Sequence, residues 1–304
     1  MKKEYLKNKT HIYDKLFSLL KGGGGSIFLV DTLFSLNFVQ LLSLGIRPFS
    51  KPKFRKINSW TASKHWGLYV TLSKLLNQVE VLASGDRIPA DENAIVFANH
   101  QEMTDIPVLL FLAKQKQRLG DLKWFAKYPI KYVPGVGWGL MFLDCLFVKR
   151  NWSQDKDFIN NLFSKFKKED IPLWLISFVE GTRITDEKLE ISRKFARKKG
   201  FFLPENVMIP RTRGFAASVK GLREHVDAIY DITIGYPEGV PTLLQFIRGY
   251  AKKIHIHIRR FPLAQLPEDE EQLKQWLVNR FEEKDQLLHE YKLNGFFSKN
   301  TREV

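Results

Sequence analysis

A histidine followed five positions later by an aspartate, in the run Asn99-His100-Gln-Glu-Met-Thr-Asp105, is the pairing in this chain best suited to moving a proton. A carboxylate on one imidazole nitrogen fixes the ring's tautomer and raises the basicity of the other nitrogen, which can then take a proton from an alcohol. On a regular helix two residues so spaced lie roughly 140° apart and do not meet. They meet if His100 sits in a turn and Asp105 opens the helix that follows. The neighbouring residues favour that arrangement. Residues 94–98 form an apolar run of strand character, Thr104 is a good N-cap, and Pro107 is tolerated only in a first helical turn. With seven histidines in the chain, this spacing alone is a weak signal.

Three further groups carry charge or tight turns. Phe178-Val-Glu180-Gly181-Thr182-Arg183 follows a buried-strand run at 173–178 and offers a turn with backbone donors and one guanidinium, a combination suited to a phosphate ester. Pro134-Gly-Val-Gly-Trp138 leads through an apolar run to Phe147-Val-Lys-Arg150, and Ile209-Pro210-Arg-Thr-Arg213 ends another apolar stretch. All four groups fall at strand ends, and in open α/β sheets the ligand crevice lies outside the carboxyl ends of the strands. If these ends share one edge, a histidine, an aspartate and several arginines face one pocket.

The elements that would position them alternate. Strands are expected at 94–98, 143–149, 173–178, 207–209, 229–236 and 254–259, and helices at 63–78, 106–116, 155–166 and 268–291. This alternation predicts one α/β domain with a mostly parallel or mixed sheet. Ahead of it lies residues 26–46, an apolar stretch about the length needed to cross a bilayer, with Asp31 its only charge and Ser35, Asn37 and Gln40 among its polar residues. A spanning helix, an interfacial helix and an ordinary buried helix all remain open readings. Gly22-Gly-Gly-Gly25 reads as a flexible joint before it, and Lys51-Pro-Lys-Phe-Arg-Lys56 as a basic stretch suited to an anionic membrane face or to a solvated loop. No cleavable signal sequence is expected at the charged and polar start of the chain.

In its 304 residues the chain has an apolar fraction of 44%, which excludes global disorder, and a net charge of +15, which favours polyanionic partners without choosing among them. A single cysteine, Cys145, excludes disulfide frameworks and cysteine-based metal clusters, and its apolar surroundings predict a buried thiol.

The four groups, in this order, resemble the motifs of the glycerophospholipid acyltransferase family, the PlsC-type lysophosphatidate acyltransferases. Asn99–Asp105 is similar to the first motif, residues 135–150 to the second, Glu180–Arg183 to the third and the strand end at Pro210 to the fourth. The run 222–237, the His255-x-His257 strand and the helix around 275–284 resemble the subgroup of lysocardiolipin and lysophosphatidylinositol acyltransferases. Val179 stands where the third motif usually has proline. The resemblance implies a single mixed-sheet α/β acyltransferase domain over 57–304, preceded by a membrane-associating helical segment in 1–56. It implies an acyl-CoA-dependent lysophospholipid acyltransferase in which His100 is the general base and Asp105 orients it. Asn99, Arg150, Glu180, Gly181, Thr182, Arg183 and Pro210 would line the substrate site, with Arg183 and the Glu180-Gly181 turn holding the phosphate. Acyl-CoA serves as co-substrate, no cofactor or metal is expected, and the partners are acyl-CoA, a lysophospholipid and a membrane, with no nucleic acid. The implied compartment is the endoplasmic reticulum or, alternatively, a bacterial inner membrane. A hydrolase using the same pair to activate water and a catalytically silent lipid-binding relative remain as alternatives.

Overall fold

The computed structural model describes residues 12–149 and 151–304, with side chains from residue 27 onward. Eight strands form one sheet, β1 (Glu80–Gly85), β2 (Ala94–Ala98), β3 (Leu122–Lys127), β4 (Leu146–Val148), β5 (Trp174–Ser177), β6 (Ala228–Gly235), β7 (Lys253–Pro262) and β8 (Arg302–Glu303). Their order is β4-β3-β5-β2-β6-β7-β1-β8. The strands from β4 to β6 run parallel, β7 is antiparallel to β6 and parallel to β1, and β8 is antiparallel to β1. The sheet is therefore mixed, as the alternation predicted. Its central strands β2 and β6 are buried along their whole length, which explains why they read as unbroken apolar runs.

Nine helices complete the described chain: α1 (Ile12–Ser43), α2 (Lys51–Asn77), α3 (Asp105–Gln115), α4 (Val136–Phe142), α5 (Trp152–Lys168), α6 (Asp186–Lys199), α7 (Thr212–Leu222), α8 (Leu243–Ile247) and α9 (Glu270–Asn294). One core layer lies between the sheet and α2 and α3, with Val70, Val108, Phe111 and Leu112 against Val96, Tyr230 and Ile256. On the other side α5, α7 and α9 bring Phe163, Val219, Leu277 and Phe281 against Ile95, Phe97 and Leu175. Covering both faces with helices is what a sheet with a parallel centre requires.

Three expectations about the N-terminal part change. Gly22–Gly25 does not form a joint, because the helical backbone of α1 runs straight through it. Glycine costs a helix interior about 1 kcal/mol per residue, so α1 is held by tertiary contacts with α2, α4 and α8 rather than by its own propensity. The basic stretch at 51–56 is not a loop but the opening turns of α2, capped by the Ser50 hydroxyl, which accepts from Lys53 N. The division drawn after residue 56 thus falls inside a continuous helix. Among the described residues no helix is long and apolar enough to cross a membrane.

The polar residues of α1 face the protein. Asn37, Gln40 and Ser43 are buried, and Asn58 of α2 donates to the Ser43 hydroxyl at 3.1 Å. Phe34, Phe38, Leu41 and Leu42 point outward, with Phe38 60% exposed.

Residues 207–209, expected as a strand, are an extended loop. Their N–H groups go to side chains instead of a neighbouring strand: Val207 to Asp285 at 3.0 Å, Met208 to Glu180 at 2.9 Å and Ile209 to Ser192 at 2.8 Å.

Candidate active site

Strands β2, β5 and β6 are parallel, so their carboxyl ends open on one edge of the sheet. His100 stands two residues beyond β2, in a turn of bends that ends where α3 begins at Asp105. That is the turn-then-helix arrangement the spacing required. His100 Nδ1 lies 3.0 Å from Asp105 Oδ2. With a carboxylate as acceptor, Nδ1 carries the hydrogen and Nε2 is left as the proton-accepting nitrogen. The imidazole also stacks on Phe178, ring centroids 4.0 Å apart and planes 15° from parallel.

Asp105 is wholly buried and saturated with donors. Its Oδ2 also accepts from Gln101 N at 2.6 Å and Glu102 N at 2.9 Å, and its Oδ1 accepts from the Tyr236 hydroxyl at 2.7 Å. The Thr104 hydroxyl, expected to cap α3, donates instead to Pro241 O at 2.9 Å. The carboxylate of Asp105 gathers the turn's backbone donors in its place.

Asn99, expected at the substrate, is buried and fastens two strand ends together. Its Oδ1 accepts from Ile234 N at 2.8 Å, and its Nδ2 donates to Ile234 O at 3.1 Å. Glu180 is likewise buried, with Oε1 accepting from His100 N at 2.7 Å and Oε2 from Met208 N. Burial pushes its carboxyl up to about 8, against the opposing pull of those two backbone donors and of Lys284. Pro210 is buried below the surface. These three positions support the walls of the site, and their polar groups are engaged within the protein.

Gly181 has φ +77°, and a Cβ there would meet Nε of Arg211 at 2.5 Å. Glycine is thus demanded by both the backbone and the guanidinium lying across it. Arg183 is half exposed and ion-paired with Glu102. Thr182 Oγ1 accepts from Lys188 Nζ at 2.9 Å. Arg183, Arg211 and Lys188 therefore gather cationic charge around the Gly181 turn, which Ile184 N fastens to His100 O at 2.9 Å. Arg150 lies outside the described residues.

Sequence reasoning missed Tyr236, Arg211 and Lys188. Tyr236 was within reach of it, since the residue follows an apolar strand whose carboxyl end opens on the same edge. Cys145 is buried as expected, its sulfur accepting from Trp124 N at 3.4 Å. His255 and His257 do extend from one face of β7 but belong to other contacts. His257 Nδ1 is 3.0 Å from Ser84 Oγ, and His255 packs edge-on to Tyr291. Among the described residues no three of His, Cys, Asp and Glu form a metal-holding group.

A buried aspartate aligning a histidine, beside a cation-rich turn, is equipped to deprotonate a hydroxyl on a phosphorylated molecule. Comparison with known proteins gives this arrangement a family. A family model described as acyltransferase matches residues 80–211, and one described as acyltransferase C-terminus matches 245–304. The chain is 35% identical over 291 residues to a probable 1-acyl-sn-glycerol-3-phosphate acyltransferase 5 of Arabidopsis thaliana, covering 93% of this chain and 77% of the relative. It is 33% identical over 278 residues to 1-acyl-sn-glycerol-3-phosphate acyltransferase gamma of Homo sapiens, covering 90% and 74%. Its fold matches the crystal structure of the 1-acyl-sn-glycerophosphate (LPA) acyltransferase PlsC from Thermotoga maritima, with TM-score 0.57 and 22% identity over 92% of this chain and 98% of that one. Sequence and fold agree that the chain is an acyltransferase and belongs to the glycerophospholipid acyltransferase family, with the PlsC-type lysophosphatidate acyltransferases.

Proposed function

We propose that this enzyme transfers a fatty acyl group from acyl-CoA to the free glycerol hydroxyl of lysophosphatidate. The observation that carries the reading is the His100–Asp105 pair, with Nδ1 held at 3.0 Å on a wholly buried carboxylate. The names of the two relatives favour a 1-acylglycerol phosphate as acceptor. His100 Nε2 takes the proton as the hydroxyl oxygen attacks the thioester carbonyl carbon. The tetrahedral intermediate then expels the CoA thiolate, which receives that proton from His100. One ester bond forms and one thioester bond breaks. General base catalysis of this kind contributes about 10²–10⁴-fold. Arg183 and Arg211, bracketing the Gly181 turn, bind the acceptor's phosphate.

The acceptor is a lipid, and we place the enzyme on a membrane surface. Helix α1 is inverted for a protein in water, with amides and hydroxyls inward and Phe34, Phe38, Leu41 and Leu42 outward. At its end Phe49 is 89% exposed, between Arg47 and the lysines that open α2. Apolar rings among cations suit the boundary of an anionic bilayer.

The test is CoA release from oleoyl-CoA in detergent, across lysophosphatidate and other lysophospholipids. Release should require an acceptor, be fastest with lysophosphatidate, and fall at least about a hundredfold in His100→Ala. Release without any acceptor would make the enzyme a thioesterase, and undiminished turnover in His100→Ala would remove the assigned base.

A further inference from the structure

The two family matches leave residues 212–244 uncovered, yet this interval completes the His100 turn. Asn99 is locked to Ile234 in both directions, Gln101 Nε2 donates to Ile234 O at 2.8 Å, and Thr104 donates to Pro241. The contact nearest the chemistry is that of Tyr236. Oδ2 of Asp105 accepts from His100 Nδ1 and two backbone N–H groups, while Oδ1 receives the Tyr236 hydroxyl at 2.7 Å. Tyr236 is 7% exposed and packed in the core, and Gly239 N turns back to its carbonyl at 3.2 Å. The ring therefore cannot swing away without opening the end of β6.

We propose that Tyr236 is a positioning residue of the acyl-transfer site, whose phenol donates to Asp105 and so sets how strongly the Asp105–His100 pair holds its proton. This rests on His100 as the base proposed above. A carboxylate that shares its charge with a phenol pulls less hard on the neighbouring imidazolium proton, which keeps His100 free to accept one at lower pH. The phenol itself stays a donor throughout the working range, because burial and the adjacent carboxylate push its ionisation well above normal.

Other charged groups face the pair. Glu102, on the same turn, is paired with Arg183, and Glu180, from the loop after β5, holds His100 N while Lys284 of α9 acts on it through space. The phenol's hydrogen bond goes to Asp105, so comparing enzymes that differ only at position 236 cancels the contributions of these groups to first order.

The test is the pH dependence of kcat/KM for oleoyl-CoA and lysophosphatidate in wild type, Tyr236→Phe and His100→Ala. Loss of one hydrogen bond to a charged acceptor corresponds to about ten- to a hundredfold in kcat. Tyr236→Phe should show that loss with both KM values within about twofold, and its acid limb should move to higher pH. Replacing Tyr236 by 3,5-difluorotyrosine, a stronger donor of nearly the same shape, should move the limb to lower pH. An acid limb that stays in place in Tyr236→Phe, whether or not the rate falls, overturns the proposal. If that variant fails to fold, an unmoved limb in the difluorotyrosine enzyme overturns it equally. Full activity in His100→Ala would instead sink the assignment of the base.

Discussion

At position 180 the chain places a carboxyl where water does not reach, and uses it for geometry. Its two oxygens hold the backbone of His100 on one side and of Met208 on the other. Burial raises its ionisation to about 8, whereas the unfolded chain releases the same proton at an ordinary carboxylate value. Between those two pH values the folded state binds more protons than the unfolded state. Folding stability from this group therefore falls as pH rises through that window and changes little above it. Glutamine at 180 has no proton to release, so Glu180→Gln should lose less stability than wild type between about pH 5 and pH 8. Denaturant midpoints at the two pH values check this, and equal losses would mean that Glu180 does not titrate there. The variant should also lose turnover, because an amide presents one acceptor atom where two backbone donors wait.

At the scale of elements, α9 acts on the site from a distance. Its buried Asp285 collects Asn206 N at 2.6 Å, Val207 N at 3.0 Å and Glu205 N at 3.0 Å, fixing the loop whose next residue, Met208, donates to Glu180. Asp285→Ala would orphan three backbone donors at a cost of about 1 kcal/mol or more each. We expect about 3 kcal/mol of lost stability with a reduced kcat, read by denaturation and by steady-state kinetics. A normal kcat in the folded variant would show that the loop does not carry its order to His100. This connection also explains a failure of sequence reading. Residues 207–209 look like a strand, but their partners lie on α6, on α9 and beyond β5, at separations no local pattern encodes. The short edge strand β1, half exposed along its length, and β3, with Lys123 buried among apolar neighbours, were missed for a similar reason. Strands β2, β5, β6 and β7 were legible because a buried or alternating strand must write its surroundings into its residue types. His100 and Asp105 were legible from spacing plus Thr104 and Pro107. The inward roles of Asn99 and Glu180 were not, since a polar residue beside a motif looks the same whether it meets substrate or backbone.

For the molecule as a whole, the outward rings of α1 and the turn after it should govern attachment to lipid. Phe38→Asp with Phe49→Asp should weaken binding to vesicles containing acidic phospholipid by at least about tenfold, since each ring's transfer contributes roughly 1.5–3 kcal/mol. Exposed substitutions of this sort leave folding stability within about 0.5 kcal/mol per site. Co-sedimentation with vesicles, beside thermal unfolding, checks both statements, and undiminished binding would move the attachment surface elsewhere. The sheet order carries a consequence for how the protein is made. Strand β1 pairs in parallel with β7, Glu80 opposite Lys253, and with β8 on its other side. At about 5–20 residues per second, β1 leaves the ribosome roughly ten to thirty seconds before its first partner does. Throughout that interval Val81 and Ala83, wholly buried in the finished protein, have no strand beside them. A growing chain with such an open edge is a natural client for chaperones.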